Sequence, residues 1–145
     1  MIDLPDVNVW LALVDGNHTH HLAASHYWHE QSGTQTAFCR VSMLGFLRLS
    51  TQPRVLSRTL SHAEAWHIYR RYLALREVCF LVEPADTDLH FARLTLSDAM
   101  LHRLWTDAYL AAFAITARCR LVSFDRDFQR FPGLDFLHLS ALPQS

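Results

Sequence analysis

The chain has 145 residues, a formal net charge of −1 and a pI near 6.8. Half of the residues are hydrophobic and only four are glycine, which predicts a single globular domain over residues 1–145 and excludes a linker or tail. The near-neutral charge argues against a protein that holds nucleic acid by bulk positive charge alone. All 13 basic residues are arginine, so P-loop, Schiff-base and lysine-base chemistry is excluded, whereas phosphate contacts remain possible.

The sequence also carries expectations about location. No apolar run reaches the roughly 20 residues that span a bilayer, so we expect no membrane association. The first residues include Asp3 and Asp6 and lack the basic lead of a secretory signal, which favours a cytoplasmic protein. Three cysteines are spaced too widely for a zinc site or a disulfide framework, so we expect free thiols at Cys39, Cys79 and Cys119.

The first half of the chain alternates short strands with helices. A strand is predicted at 2–6, and Pro5 confines it to a sheet edge or to its own last position. The histidine-rich segment at 18–21 is predicted to be a loop and helix cap. The other elements predicted here are helices at 7–14, 22–31, 41–50 and 61–74 and a strand at 36–39; Gln52-Pro53 ends the third helix, and a capping box of Ser61 and Glu64 opens the fourth.

The second half continues this alternation. A helix is predicted from 87 to about 102, with its inward face formed by Leu89, Ala92, Leu96 and Ala99 or Met100. The next helix begins with Thr106 as N-cap and closes near Arg118. The remaining predicted elements are strands at 77–83, 121–124 and 134–138 and a loop at 126–133. Strands that alternate with helices predict an α/β sandwich with a parallel sheet of four or five strands.

Three carboxylates occupy similar positions in this pattern. Asp6 ends the first strand, Asp125 follows the strand at 121–124, and Asp107 lies in the first turn of the preceding helix. Open α/β sheets bind their ligands beyond the carboxyl ends of the strands, so we expect the three acids to converge at one edge. Each acid taken alone could simply be a cap or turn residue. The repetition at one kind of position favours a shared site.

Converging carboxylates need a neutralising cation, because like charges a few ångströms apart raise a pKa and cost stability. Hard oxygen ligands favour Mg²⁺ or Mn²⁺ over zinc. Such an ion can activate a water molecule for in-line attack on a phosphodiester. We therefore interpret Asp6, Asp107 and Asp125 as candidate catalytic and metal-ligating residues.

Other polar positions leave alternatives open. The histidines between 18 and 29 lack a paired spacing with a third ligand, which favours a loop and cap role over a metal site. Gly45 inside a helix indicates close packing or close approach to the site. Arg48 and Arg126 are either phosphate contacts or solvated surface residues. Asp127 is either a fourth acid or a support for the other three.

Several segments together resemble the PIN-domain family, and specifically VapC-type toxins. They lie at 6–13, 18–28, 44–49, 106–114 and 121–128, in the order and spacing of that family, and the resemblance runs from residue 2 to about 138. Thr106-Asp-Ala and Ser123-Phe-Asp are its most specific parts. The resemblance implies a PIN-like three-layer sandwich.

The resemblance also implies an activity and partners. VapC-type toxins are Mg²⁺- or Mn²⁺-dependent endoribonucleases that cut RNA, are held inactive by a cognate VapB-type antitoxin, and usually form homodimers. By position, Asp6, Asp107 and Asp125 match the metal-coordinating acids of the family. Asn8 matches a polar residue that supports the first of them.

One position departs from the family. PIN domains commonly carry a glutamate where this chain has Met43, and a thioether is a poor ligand for a hard cation. Three acids are then enough, or Asp127 compensates, or the activity is weak. An alternative reading is a catalytically silent PIN module that binds RNA or a protein partner. An aspartyl-phosphate phosphatase is disfavoured, since that chemistry usually enlists a lysine.

Overall fold

The computed structural model describes residues 1–141. The strands are β1 (Ile2–Pro5), β2 (Gln35–Phe38), β3 (Val78–Phe80), β4 (Arg120–Ser123) and β5 (Phe136–His138). The α-helices are α1 (Val7–Val14), α2 (His21–His26), α3 (Arg40–Ser50), α4 (His62–Leu73), α5 (Thr87–Thr95) and α6 (Trp105–Ala117). A π-helical turn, Tyr27–Gln31, extends α2, and two 3₁₀ helices lie at His102–Leu104 and Arg126–Arg130.

The five strands form one parallel sheet in the order β3-β2-β1-β4-β5. The chain builds outward from β1 to β3 and then returns to add β4 on the other side of β1. This reversal between β1 and β4 creates a crevice at the carboxyl ends of those two strands. The register pairs Leu4 with Leu121 and Pro5 with Val122, so Asp6 comes to lie beside Ser123. The predicted parallel α/β sheet is confirmed, with five strands.

Helices cover both faces of the sheet. On one face, buried residues of α6 pack on the strands through Leu110, Ala111 and Phe113. On the other face, α1, α3 and α4 enclose an aromatic cluster in which Trp10 stacks on Phe38 with the ring centroids 3.9 Å apart. Burial of these side chains is the main force that holds the three layers together. Within residues 1–141, no helix has the length and apolar content to cross a bilayer.

Several local predictions are confirmed. Pro5 is the last residue of β1, which leaves the central strand with its ladder intact. The capping box forms as expected: the amide of Glu64 donates to Ser61 Oγ at 3.1 Å, and the amide of Ser61 donates to Glu64 Oε1 at 3.0 Å. Residues 18–20 form the turn that leads into α2. Cys39 and Cys119 are buried, Cys79 is half-buried, and all three are free thiols.

The long helix predicted from 87 to about 102 is wrong, because α5 ends at Thr95. Beyond it, the Ser97 hydroxyl accepts from the amide of Ala99 at 3.2 Å, and this turn competes with helix continuation. The predicted inward face is wrong as well, since Leu89 and Leu96 are 52% and 78% exposed. The helix instead packs on the core through Phe91 and Leu94, a second stripe with the same period.

The N-cap prediction for α6 is also wrong. The helix begins at Trp105, with Leu104 in the cap position and no side-chain cap, because the 3₁₀ helix at His102–Leu104 runs directly into it. Asp107 nevertheless lies in the first turn, as predicted. The helix closes at Arg118, which adopts a left-handed conformation with φ of 56°.

Candidate active site at the β1–β4 crevice

The backbone places two of the predicted acids at the ends of adjacent strands. Asp6 follows β1 and is the N-cap of α1, where its Oδ1 accepts from the Val7 amide at 2.8 Å. Asp125 lies two residues beyond β4 and caps the following 3₁₀ helix, with its Oδ1 accepting from the Asp127 amide at 2.9 Å. Both residues are therefore held by the turns that they initiate, at the crevice created by the strand order.

A buried hydroxyl connects these two acids. Ser123 Oγ donates to Asp6 Oδ2 at 3.0 Å and accepts from the amide of Asp125 at 3.0 Å. It also accepts from Asn8 Nδ2 at 3.1 Å, and Asn8 Oδ1 in turn accepts from the Phe124 amide at 3.4 Å. One donor and two acceptors are the full capacity of a hydroxyl. Ser123 is fully buried, so this small network sets the orientation of Asp6.

Asp107 enters the same electrostatic environment from α6. Its pKa is raised to about 6, first by burial and then by the negative charges of Asp6, Asp125 and Asp127, while Arg103 opposes the rise. The pKa of Asp6 is raised too, mainly by burial and with a contribution from Asp125, although hydrogen bonds from Val7 and Ser123 act in the other direction. Negative charge on neighbouring carboxylates therefore contributes to the raised pKa of both Asp6 and Asp107.

These acids do not form a closed ligand set in their present positions. Within residues 1–141, no group of three or more His, Cys, Asp or Glu side chains has the arrangement that would hold a metal ion. Asp6 directs both carboxylate oxygens to protein donors, Val7 and Ser123. The site is thus a set of neighbouring, mutually repelling carboxylates, with part of its hydrogen-bonding capacity already used.

Asp127 differs from the other acids because it is paired. Its Oδ2 accepts from Arg103 Nη1 at 2.8 Å, and Arg130 Nη2 lies 3.7 Å from its Oδ1. The hydrogen bond from Arg103 lowers the pKa of Asp127, so this carboxylate stays ionised. The guanidinium groups of Arg103 and Arg130 thus both face this carboxylate.

The α3 helix contributes no acid to the crevice at residue 43, where PIN domains commonly carry a glutamate. Met43 is 6% exposed and packs in the aromatic cluster with Trp10 and Phe46. Gly45 of the same helix lies against α1: a Cβ at this position would be 2.5 Å from Val7 Cγ2. Close packing, one of the two predicted reasons for Gly45, therefore applies, and it occurs next to Asp6.

The other candidates lie outside the hydrogen-bond network of the acids. Arg48 and Arg126 are exposed. His18 Nδ1 accepts from the His20 amide at 3.0 Å, and the ring of His20 stacks on Phe124 at 4.4 Å, so these histidines shape a loop. Ser123 and Arg103 were missed by the sequence reasoning. A polar residue in an otherwise apolar strand was a signal for Ser123, whereas nothing in the sequence distinguished Arg103 from the other arginines.

Comparisons with known proteins agree with this geometry. The model of the PIN domain family matches residues 4–134. Ribonuclease VapC41 of Mycobacterium tuberculosis is 33% identical over 139 residues, covering 91% of this chain and 94% of that protein. Ribonuclease VapC33 of the same species is 31% identical over 134 residues, covering 90% and 93%. The chain therefore belongs to the PIN-domain family and, within it, to the VapC-type proteins, as its sequence resemblance predicted.

Solved structures extend the comparison to the fold. VapC20 of Mycobacterium tuberculosis, described as a sarcin–ricin loop cleaving toxin, superposes with a TM-score of 0.70 at 15% identity, covering 92% of this chain and 97% of that one. The VapBC2 structure from Rickettsia felis, bound to a DNA fragment from its promoter, gives a TM-score of 0.68 at 12% identity, covering 97% and 100%. The predicted PIN-like three-layer sandwich is confirmed.

Proposed function

We propose that this protein is a Mg²⁺- or Mn²⁺-dependent endoribonuclease that hydrolyses RNA as the toxin of a toxin–antitoxin pair. The observation that carries the proposal is the convergence of Asp6, Asp107 and Asp125 at the β1–β4 crevice, where burial and neighbouring carboxylates raise the pKa of Asp6 and of Asp107. Relatives named ribonucleases that match over nine-tenths of the chain support the RNA substrate.

The donor atoms of the crevice residues have the chemistry that a hard divalent cation prefers. Carboxylate oxygens are the ligands that Mg²⁺ and Mn²⁺ prefer, and Asp6, Asp107 and Asp125 are the three that would hold the ion. Burial and neighbouring negative charge raise the pKa of Asp6 and of Asp107, and a bound cation would favour the ionised form of both. When bound, such an ion supplies charge neutralisation and activation of a water molecule for phosphodiester hydrolysis.

The protein's own contribution is to orient these groups. The Val7 amide and the Ser123 hydroxyl hold Asp6 in one rotamer, and Asn8 holds the hydroxyl. Because Ser123 also binds the amide of Asp125, the two strand ends keep a constant spacing. Asp107, supplied from another element, completes the set only in the folded chain. Preorganisation of this kind reduces the cost of arranging the site when substrate arrives.

The same proposal includes partners and location. A cognate VapB-type antitoxin would keep the nuclease inactive, and the nuclease would act as a homodimer in the cytoplasm. A structure of related fold described as a toxin–antitoxin complex, from Klebsiella pneumoniae, and the VapBC-1 structure from nontypeable Haemophilus influenzae support the association with an antitoxin. Co-expression with a candidate VapB-type antitoxin, followed by light scattering of the purified complex and of the protein alone, would measure both associations.

A cleavage assay tests the nuclease. Antitoxin-free protein is incubated with transfer, messenger and ribosomal RNA, including a fragment with the sarcin–ricin loop, in Mg²⁺, Mn²⁺ or EDTA. We expect metal-dependent cleavage that Asp107→Asn reduces by at least about 100-fold, because one of three ligands is lost. Asp88→Asn is the matched control, since Asp88 is exposed in the first turn of α5. Equal cleavage by Asp107→Asn and the wild type would refute the assignment.

A silent PIN module is the second candidate, and Met43 is the observation that favours it. Its side chain is buried among apolar groups, so α3 supplies no carboxylate there. A silent module would bind RNA or antitoxin equally well in EDTA and would give no metal-dependent product. Calorimetric titration with Mn²⁺ separates the two candidates without an activity readout. A nuclease should bind the ion, and the Asp107→Asn variant should bind it much more weakly or not at all.

A further inference from the structure

The ion pair between Arg103 and Asp127 lies at the edge of the acidic crevice. Arg103 belongs to the 3₁₀ helix that runs directly into α6, four residues before Asp107. The backbone between these two residues is continuously helical, so they lie about one turn apart along the axis. Asp127 lies on the other side, in the 3₁₀ helix after β4. The 2.8 Å contact between Nη1 and Oδ2 therefore joins the two elements that supply Asp107 and Asp125.

The guanidinium acts on the acids as a nearby positive charge. Arg103 opposes the rise in the pKa of Asp107, and Asp107 and Asp125 in turn contribute to the raised pKa of Arg103 itself. Only Nη1 is engaged by a protein acceptor within residues 1–141. The Nε and Nη2 donors of a planar fork are thus available, and this is the geometry that binds phosphate oxygens in pairs.

Stability alone does not account for this pair. The side chains of Arg103 and Asp127 are 57% and 27% exposed, and exposed ion pairs contribute little to the free energy of unfolding. A role as the missing fourth metal ligand also fits Asp127 poorly, since both of its oxygens face guanidinium groups, at 2.8 and 3.7 Å.

The geometry points to Arg103 as a contact for the phosphate that is cleaved, with Asp127 as the positioning residue that holds the guanidinium beside Asp107 and Asp125. This inference rests on the proposed nuclease function. Hydrolysis of a phosphodiester builds negative charge on the phosphate oxygens as water attacks and the sugar oxygen leaves. A fixed guanidinium with two available donors stabilises that charge. Its ion pair with Asp127 keeps the guanidinium from pairing with Asp107 or Asp125 instead.

Four variants test the inference. Arg103→Gln removes the charge, Arg103→Lys keeps a point charge without the fork, and Asp127→Asn releases the guanidinium. Arg58→Gln is the matched control, because Arg58 forms an exposed pair with Glu64 at the same 2.8 Å. Each variant is measured for single-turnover cleavage, for Mn²⁺ affinity by calorimetry, and for binding of a short single-stranded RNA in EDTA at several salt concentrations.

We expect Arg103→Gln to lower the cleavage rate about 100-fold or more, and Arg103→Lys to recover part of that loss. Asp127→Asn should lose about tenfold through misplacement of the guanidinium, with its Mn²⁺ affinity unchanged. The slope of log Kd for RNA against log salt should fall by about 0.7 in Arg103→Gln, as one phosphate contact is lost. A purely structural ion pair would not change this slope, and Arg58→Gln should match the wild type throughout.

The outcomes separate this inference from the nuclease proposal. Wild-type cleavage that survives Arg103→Gln but not Asp107→Asn overturns the inference and leaves the nuclease intact. Loss of Mn²⁺ binding in Asp127→Asn overturns it as well, since Asp127 would then be a metal ligand. If the wild type cuts no RNA, the nuclease proposal fails, and an unchanged salt slope in Arg103→Gln would show that Arg103 makes no phosphate contact either.

Discussion

The hydroxyl of Ser123 illustrates how a single buried side chain can organise a site built on charges. It binds Asp6, Asn8 and the amide of Asp125 at once, so it joins two segments that are distant in sequence, residues 6–8 and 123–125. The acids themselves were predictable, because aspartates at strand ends follow from local patterns. The hydroxyl was not predicted, because its partners are more than 100 residues away in sequence or are backbone groups.

Asp107→Asn should stabilise the metal-free protein at neutral pH. The pKa of Asp107 is raised from 3.8 to about 6, so the folded state binds more protons than the unfolded state between these values. The free energy of unfolding therefore falls as pH rises from about 4 to about 6, and the penalty is complete above that range. Asparagine removes the penalty. With solvent screening of this half-buried group we expect a gain of about 1 kcal/mol, or about 2–4 °C in Tm.

Thermal unfolding in EDTA at pH 7.5 and at about pH 2.5, well below the unfolded-state pKa, checks this expectation, with Asp88→Asn as control. The gain should disappear at the lower pH, where Asp107 is protonated in both states. Added Mn²⁺ should reverse the order, because ligand binding stabilises only the wild type. A lower Tm for Asp107→Asn in EDTA at pH 7.5 would contradict the repulsion between the acids.

At the scale of single elements, the boundaries that were predicted well are set by side chains at the boundary itself. The box of Ser61 and Glu64 sets the start of α4 through two short hydrogen bonds. The end of α5 was mispredicted because the apolar pattern of 87–102 continues past Ser97, where a side-chain turn competes with the helix. Two apolar stripes were available on α5, and only packing against α6 selects the one with Phe91 and Leu94.

Gly45→Ala tests the contact between α3 and α1. A methyl group at this position would lie 2.5 Å from Val7 Cγ2, and a β-branched side chain in a helix has little freedom to rotate away. The usual gain from replacing glycine in a helix should therefore become a net loss of about 1–2 kcal/mol in the free energy of unfolding. Urea denaturation measures it. Since Val7 adjoins Asp6, we also expect slower cleavage per folded molecule.

Gly16→Ala is the control for this prediction. A Cβ at Gly16 would have no neighbour within 4 Å, so its unfolding midpoint should stay near that of the wild type. Equal stability of Gly45→Ala and Gly16→Ala would show that α1 and α3 adjust to the added methyl group without cost.

At the scale of the whole molecule, an ion pair with a buried carboxylate joins the amino ends of the two strands β1 and β4. Asp3 on β1 is fully buried and accepts from Arg120 Nε and Nη2 on β4, both at 3.0 Å. The Tyr27 hydroxyl and the Gly33 amide also donate to it, at 2.5 and 2.9 Å. One carboxylate thereby joins two strands, the π-helical turn and the connection into β2, at the amino ends of the strands and away from the acidic crevice.

Arg120→Met should destabilise the fold without changing the chemistry. It leaves the buried Asp3 charge without its partner, which costs about 3–5 kcal/mol in comparable pairs. Adding Asp3→Asn should restore part of that loss, because the uncompensated charge is then gone. Urea unfolding of the two single variants and the double variant measures this coupling. Cleavage per folded molecule should stay at the wild-type level; additive losses in the double variant would argue against a coupled pair.

The sequence by itself determined the class of the molecule and the positions of its candidate acids. Alternating strands and helices predicted a parallel sheet, and Asp6, Asp107 and Asp125 each occupied a position that local pattern identifies. Such local patterns depend only on residues that are near one another in the sequence. They can therefore be recognised without knowledge of how the rest of the chain folds. The single domain over 1–145 and the metal-binding roles of the three acids remain predictions.

Only the tertiary structure decided how these parts meet. Pairing of β4 with β1 brings Asp6 to Ser123. Packing of the layers brings the second stripe of α5 to the core and Arg103 to Asp127. The structure also shows that Asp127 is paired with arginine and that Met43 is buried in apolar packing. The residue types alone left both environments open. The physical reason is range: burial, ion pairing and pKa shifts depend on distances between segments, and those distances exist only once the layers have packed.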